Sequence, residues 1–231
     1  MSIAFEEAAR AAVSSDNLQE SVSTLCSLGE KVAGSEEERK ACDYLTGKLA
    51  EYGIEHTVYT FDSYVSYPRS ARLLITAPET VEIPAVGVAF GTSTPAGGFS
   101  SPVVHVGAGE DADYLNRDVS GRIVLIDKLP TPERALTAAA RGAKGMICMS
   151  AGKQRHKMII TPVWGTPGFD EAERIPRVHV ASISGEDGAR LRDWARQGSL
   201  EATLETDCFE GWREVRLPVA EIPGREPEFV L

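Results

Sequence analysis

Val119-Ser-Gly-Arg-Ile-Val-Leu-Ile-Asp127, then Thr131–Arg141, then Gly142-Ala-Lys-Gly-Met-Ile-Cys-Met-Ser150 form the stretch that decides the fold class. Ile123–Ile126 is a short apolar run between Gly121 and Pro130, the pattern of a strand buried on both faces. Thr131 is placed to cap a helix whose first position is Pro132, where proline's missing N–H is not needed. Leu136, Ala139 and Ala140 recur at helical spacing and predict one narrow apolar face. Gly142 suits the left-handed turn that often ends a helix, and Gly145–Met149 predicts a second buried strand. A strand, helix and strand in so short a span make a parallel pair. The side chains are those of a scaffold, and none carries evident chemistry.

The whole chain has 231 residues, room for one large domain or two small ones. Its 42% hydrophobic content is ordinary for a globular protein. No apolar run approaches the roughly 20 residues that span a bilayer, so no membrane partner is expected. Met1–Glu7 carries acid where a signal peptide would carry base, which predicts a cytoplasmic setting. The formal charge of −10 would be repelled by a phosphate backbone, so no nucleic-acid partner is expected. Cys26, Cys42, Cys148 and Cys208 are widely spread without a Cys-x-x-Cys pair, which argues against a zinc ribbon or a redox dithiol.

Residues 1–53 are helical in pattern. The first helix carries Phe5, Ala8, Ala9, Ala12 and Val13. The second begins at Asp16 with Gln19 three residues on, a capping-box variant, and places Leu18, Val22, Leu25 and Leu28 on one face. The third has Ser35 as cap with Glu38 reaching back, an apolar stripe of Ala41, Tyr44, Leu45, Leu49 and Tyr52, and Gly53 as stop. Glu36, Glu37 and Glu38 suit the positive end of that helix's dipole better than a metal. Strands are predicted at Ile54–Phe61, Arg72–Ala77, Val81–Phe90, Pro102–Val106, Ile175–Ile183 and Leu200–Leu204. Ser184 with Asp187 caps a helix burying Leu191, Trp194 and Ala195. Val215–Ile222 and Phe229–Leu231 read as two strands joined by the turn Pro223-Gly-Arg-Glu-Pro227.

No catalytic constellation emerges, so catalytic, cofactor-binding and metal residues are all expected to be none. His56, His105, His156 and His179 form no His-Glu-x-x-His motif, and His105 and His179 alternate with valines as strand residues do. No serine lies in a Gly-x-Ser-x-Gly elbow. Gly91–Gly98 lacks the lysine of a phosphate loop and opens no helix. The basic run Gly152–Lys157 reads as a solvated loop. Thr161–Arg174, with Trp164 and the acids Asp170, Glu171 and Glu173, is long and irregular, and is the best candidate for contact with another molecule.

Three segments together resemble the zinc-dependent aminopeptidase and carboxypeptidase-like exopeptidases that carry an inserted protease-associated (PA) domain. They are Leu28–Ser35 leading into Ala41–Gly53, then Val119–Ser150 with Ile175–Gly188, then Val219–Leu231. The resemblance implies an α+β fold: a ββα-type PA domain with the parallel strand-helix-strand core, preceded by helices of an α/β peptidase domain. It implies boundaries at 1–65 for the peptidase-like helices and first strand, 66–210 for the insert, and 211–231 for the return hairpin. In that family the strand begun by Phe229-Val-Leu231 runs into a His-x-Asp motif that supplies the first zinc ligands. The ligands therefore fall beyond Leu231, and none is carried over to this chain. Two zinc ions are expected for the parent and none here. The implied role is a non-catalytic lid or recognition platform for a peptide or protein substrate. The helices would leave apolar faces that a second copy, as a homodimer, could cover. A stand-alone peptide-interaction module is the alternative, while an insert from a serine-type peptidase accounts for the middle of the chain alone.

Overall fold

Ile123, Val124, Leu125 and Ile126 form a strand in which every side chain is fully buried in the computed structural model, which describes residues 3–224. Burying each of them stabilises the fold by about 1.5–3 kcal/mol. In chain order the elements are α1 (Ile3–Ala12), α2 (Ser15–Ser27), α3 (Glu36–Glu51), β1 (His56–Ala77), β2 (Val81–Ile83), β3 (Val86–Gly87), β4 (Phe99–His105), β5 (Ile123–Ile126), α4 (Pro132–Ala140), β6 (Gly145–Met149), β7 (His179–Ile183), α5 (Gly185–Arg196) and β8 (Glu201–Ala220). The strands lie in the order β2-β1-β8-β4-β5-β6-β7-β3. β4, β5, β6 and β7 are parallel neighbours, while β8 on β4 and β3 on β7 are antiparallel. The expected parallel pair is present, with Ile123 opposite Gly145 and Ile126 opposite Cys148. The fold is mixed α and β.

The chain divides into two compact units, Tyr64–Trp212 and Met1–Ser63 with Arg213–Leu231. Tyr64–Trp212 has a core on each face of its sheet. Val124 and Ile126 of β5 point into one, with Met146, Cys148 and the Ala135 and Ala138 methyls of α4. Ile123 and Leu125 point into the other, with Ile147, Met149 and Leu191 of α5. This alternation is the period-two geometry of a strand with both faces covered.

Local chemistry sets the helix ends. The Thr131 hydroxyl accepts from the Arg134 N–H with Pro132 in the first turn, and the Ser184 hydroxyl accepts from the Asp187 N–H. The buried face of α4 is Ala135 with Ala138, while Leu136 lies outward. That departs from the Leu136, Ala139 and Ala140 stripe by one step of about 100° around the helix. Small alanines let the helix sit close to the sheet.

The unit Met1–Ser63 with Arg213–Leu231 holds the three N-terminal helices. α2 is capped by Ser14, whose hydroxyl accepts from the Asn17 N–H, so the capping box expected at Asp16 and Gln19 is not formed. Gln19 donates to Ser23 instead. Ser35 caps α3 as expected, but the Glu38 carboxylate accepts from the Arg216 N–H at 3.2 Å rather than reaching back. Only Ala41 and Cys42 of α3 are buried. Val13, Leu18, Val22 and Tyr52 are more than half exposed. The Phe5 side chain, the end of the Pro223–Pro227 turn and the Phe229–Leu231 strand lie outside the described residues.

Two strands are longer than their patterns. β1 runs unbroken through Tyr67-Pro68, where the composition predicts a break. It pairs with β2 only from Leu73 to Ile75, so the N–H that Pro68 lacks is outside that ladder. β8 joins the predicted strands at Leu200–Leu204 and Val215–Ile222 into one. Conversely, Val81–Phe90 splits into β2 and β3 at Pro84, and the Ile175–Ile183 strand shortens to β7.

Candidate functional site: an aromatic ledge

The chain runs irregularly from Thr161 and then forms a short 3-10 turn at Phe169–Arg174. It is pinned from below by Thr161, Val163, Pro167 and Ile175, all buried. Thr166 fastens it sideways: its hydroxyl accepts from the Tyr64 N–H and donates to the Tyr64 carbonyl. A segment held at these points presents its other side chains in fixed places. Trp164 is 100% exposed and Phe169 84% exposed. Two large rings left in water forgo burial free energy, which makes this loop the candidate for contact with another molecule.

Phe169 caps a line of rings that descends into the core. It packs on Trp212 with centroids 5.5 Å apart, Trp212 meets Tyr64 edge-on at 5.4 Å, and Tyr64 lies 6.3 Å from the buried Phe90. Phe90 has a positive φ of 64°, uncommon for a bulky residue, and its N–H donates to the Ser66 hydroxyl at 2.7 Å. Beneath the ledge the Tyr64 hydroxyl donates to Glu210 Oε1 at 2.8 Å, and Arg177 Nη1 contacts both oxygens of that carboxylate. Burial, and then the hydrogen bond to Glu210, push the Tyr64 hydroxyl's pKa up, so it stays a neutral donor. Tilted and edge-on rings over an anchored polar base can grip an apolar or aromatic side chain. No group on the ledge is set to act as a nucleophile.

The other candidates are dispersed. His156 and the rest of Gly152–Lys157 are exposed. His179 Nδ1 faces the Thr92 carbonyl at 2.9 Å, and His56 Nδ1 the Ile54 carbonyl at 3.2 Å. Of the acidic trio, Glu171 pairs with Arg174, and Asp170 and Glu173 face solvent. Gly91–Gly98 is an irregular loop tied to β8 by the Thr94 N–H on the Thr206 carbonyl. His105 is a strand residue at the end of β4; its Nε2 lies 3.0 Å from Asp127 Oδ2, and Arg192 approaches the other carboxylate oxygen at 3.6 Å. Sequence reasoning missed both this cluster and the ring line. His105 and Asp127 end adjacent parallel strands, which was the available signal. Tyr64 and Trp212 are too far apart in sequence to have given one.

Among the described residues, no group of three or more His, Cys, Asp or Glu side chains is placed to hold a metal ion. The described side chains do not fit the zinc pair that the resemblance implies for a parent. No helix among them is long and apolar enough to cross a membrane.

Residues 95–191 match the family model of the PA domain, so the chain carries that domain where the core of Tyr64–Trp212 lies. No curated protein matches the chain by sequence. Among solved structures, an aminopeptidase from Aneurinibacillus sp. strain AM-1 shares the fold with a TM-score of 0.68 at 22% identity, over 93% of this chain and 49% of that one. BSAP, a zinc aminopeptidase from Bacillus subtilis, gives 0.65 at 20% identity, over 90% and 47%. A peptidase M28 precursor from Shewanella amazonensis gives 0.64 at 21% identity, over 87% and 49%. The chain spans about half the length of these solved proteins. The resemblance drawn from the three segments is borne out: a PA domain lies in the middle of a fold shared with solved aminopeptidases.

Proposed function

We propose that this PA-domain chain is the non-catalytic portion of a zinc metallo-exopeptidase that hydrolyses peptides at a chain terminus, with the PA domain as lid or recognition platform. The observation that carries the reading is the insertion. The PA match lies wholly within Tyr64–Trp212, and that unit interrupts Met1–Ser63 and Arg213–Leu231. In this reading residues 1–65 and 211–231 are flanks of an α/β peptidase domain, and 66–210 is the insert. The exposed Leu18 and Val22 of α2 and Leu45 of α3 support it, since helices of an α/β layer need a sheet to cover them. A homodimer would cover them too.

Zinc in the full-length enzyme would activate water and polarise the scissile carbonyl, from ligands beyond the described residues. This chain's own share is recognition. Trp164 and Phe169 on their pinned loop would grip an apolar side chain of the peptide, over the Tyr64–Glu210–Arg177 base. A cytoplasmic setting goes with this reading. The ledge also suits a stand-alone peptide-binding module, because it needs no catalytic neighbour. Reading the coding sequence past codon 231 separates the two. A His-x-Asp motif within a few codons is expected, and a stop codon in its place would overturn the peptidase reading.

A further inference from the structure

Beside the C-terminal end of α5 lies a cleft of about 500 Å³, away from the ring line in its residues and opposite in character. Its lining includes Arg117, Arg122 and Arg196 with Val103, His105 and Leu200, and no acidic residue. That concentration of positive charge stands out in a chain of formal charge −10. Arg117 donates to the His105 carbonyl, a neutral partner, and forms no ion pair among the described residues. Arg122 and Arg196 pair with Asp118 and Asp193, both well exposed, at 3.1 and 3.6 Å. Exposed pairs of this kind are weak and yield readily to a better-placed anion. Arg196 also offsets the partial negative charge at the end of α5.

We propose that this cleft binds the C-terminal carboxylate of a peptide whose last side chain is apolar. Guanidinium groups match a carboxylate in a two-pronged geometry that an ammonium cannot offer. The buried Val103 and Leu200 side chains give the cleft an apolar floor next to that charge. A terminal leucine brings both chemistries at once. A lone phosphate has no use for the floor, and an acidic side chain does not bring an apolar neighbour to the same carbon. The inference rests on local charge and shape, so its failure would leave the exopeptidase reading standing.

Amide NMR titrations of the intact chain test it. Acetyl-Ala-Leu with a free carboxylate is compared with acetyl-Ala-Leu-amide, acetyl-Glu-amide and inorganic phosphate. The free acid is expected to shift the amides of Val103–His105 and Gly198–Leu200, with binding that weakens as salt rises. The double variant Arg122→Gln, Arg196→Gln should bind it about tenfold more weakly while thermal unfolding shifts only slightly, because the exposed ion pairs it removes are weak. Arg117→Lys, which keeps charge but loses the fork, should also weaken it. Equal binding of the amide, of acetyl-Glu-amide or of phosphate would overturn the proposal, as would shifts confined to other residues.

Discussion

Gly188 of α5 lies so close to Met149 of β6 that a Cβ added to it would stand 2.6 Å from the Met149 Cβ and 2.5 Å from its sulfur. The absence of a side chain at this helical position is what lets α5 settle on the sheet. Gly188→Ala gains helix propensity but overfills the contact, and overfilling wins. A net loss of about 1–2 kcal/mol is expected by urea unfolding. Gly47 in α3 is the control: nothing lies within 4 Å of its added Cβ, so Gly47→Ala should stabilise by about 0.5–1 kcal/mol. The same substitution in two helices should change stability in opposite directions.

Burial raises the pKa of the Cys148 thiol and of the Tyr114 hydroxyl, in each case chiefly by desolvation. The folded chain therefore holds both protons where the unfolded chain releases them. Their contribution to stability should be level below about pH 8.5 and fall as pH rises beyond it. The urea midpoint at successive alkaline pH values measures this, and Cys148→Ala with Tyr114→Phe should flatten the slope. The Tyr114 hydroxyl is also buried without a hydrogen-bond partner. Tyr114→Phe alone should thus cost nothing at neutral pH, or stabilise by up to about 1 kcal/mol.

The four cysteines should react in sequence with a thiol-specific disulfide reagent. Cys26 is exposed, whereas Cys42 and Cys148 are buried, and burial raises the pKa of both. One thiol per chain should react at once, Cys208 more slowly, and the buried pair only on unfolding. Fast labelling of Cys148 in the native protein would contradict the burial of β6.

The ring line should hold the 161–174 segment in place. Trp164→Ala removes a side chain in full contact with water and should shift stability by no more than about 0.5 kcal/mol. Trp212→Ala removes the ring between Tyr64 and Phe169, at a cost of about 1–2 kcal/mol. Hydrogen exchange at residues 161–174 should rise in Trp212→Ala and stay unchanged in Trp164→Ala.

The parallel core was legible because Ile123–Ile126 and Gly145–Met149 are buried on both faces and bounded by turn residues, a signal carried within each strand. Caps at Thr131, Ser35 and Ser184 were legible for the same reason, each being a hydroxyl three residues from the N–H it accepts. The errors fell where distant residues decide. Pro68 suggests a break, yet β1 passes through it between its two neighbours β2 and β8, with the β2 ladder at Leu73–Ile75. The face of α4 could not be fixed from Leu136 because alanines on two adjacent stripes compete, and only the sheet selects Ala135 and Ala138. The loop at Thr161–Arg174 stood out by length and composition. Its partners Tyr64 and Trp212 come from β1 and β8, far apart in sequence, and no spacing rule links them.

Hydrolysis of an aminoacyl chromogenic substrate, measured with zinc or cobalt present, tests the central claim most directly. The chain Met1–Leu231 is compared with one extended to the full length of its coding sequence. No turnover is expected from the first and metal-dependent turnover from the second. Turnover by Met1–Leu231 alone, or none by the extended protein, would contradict it.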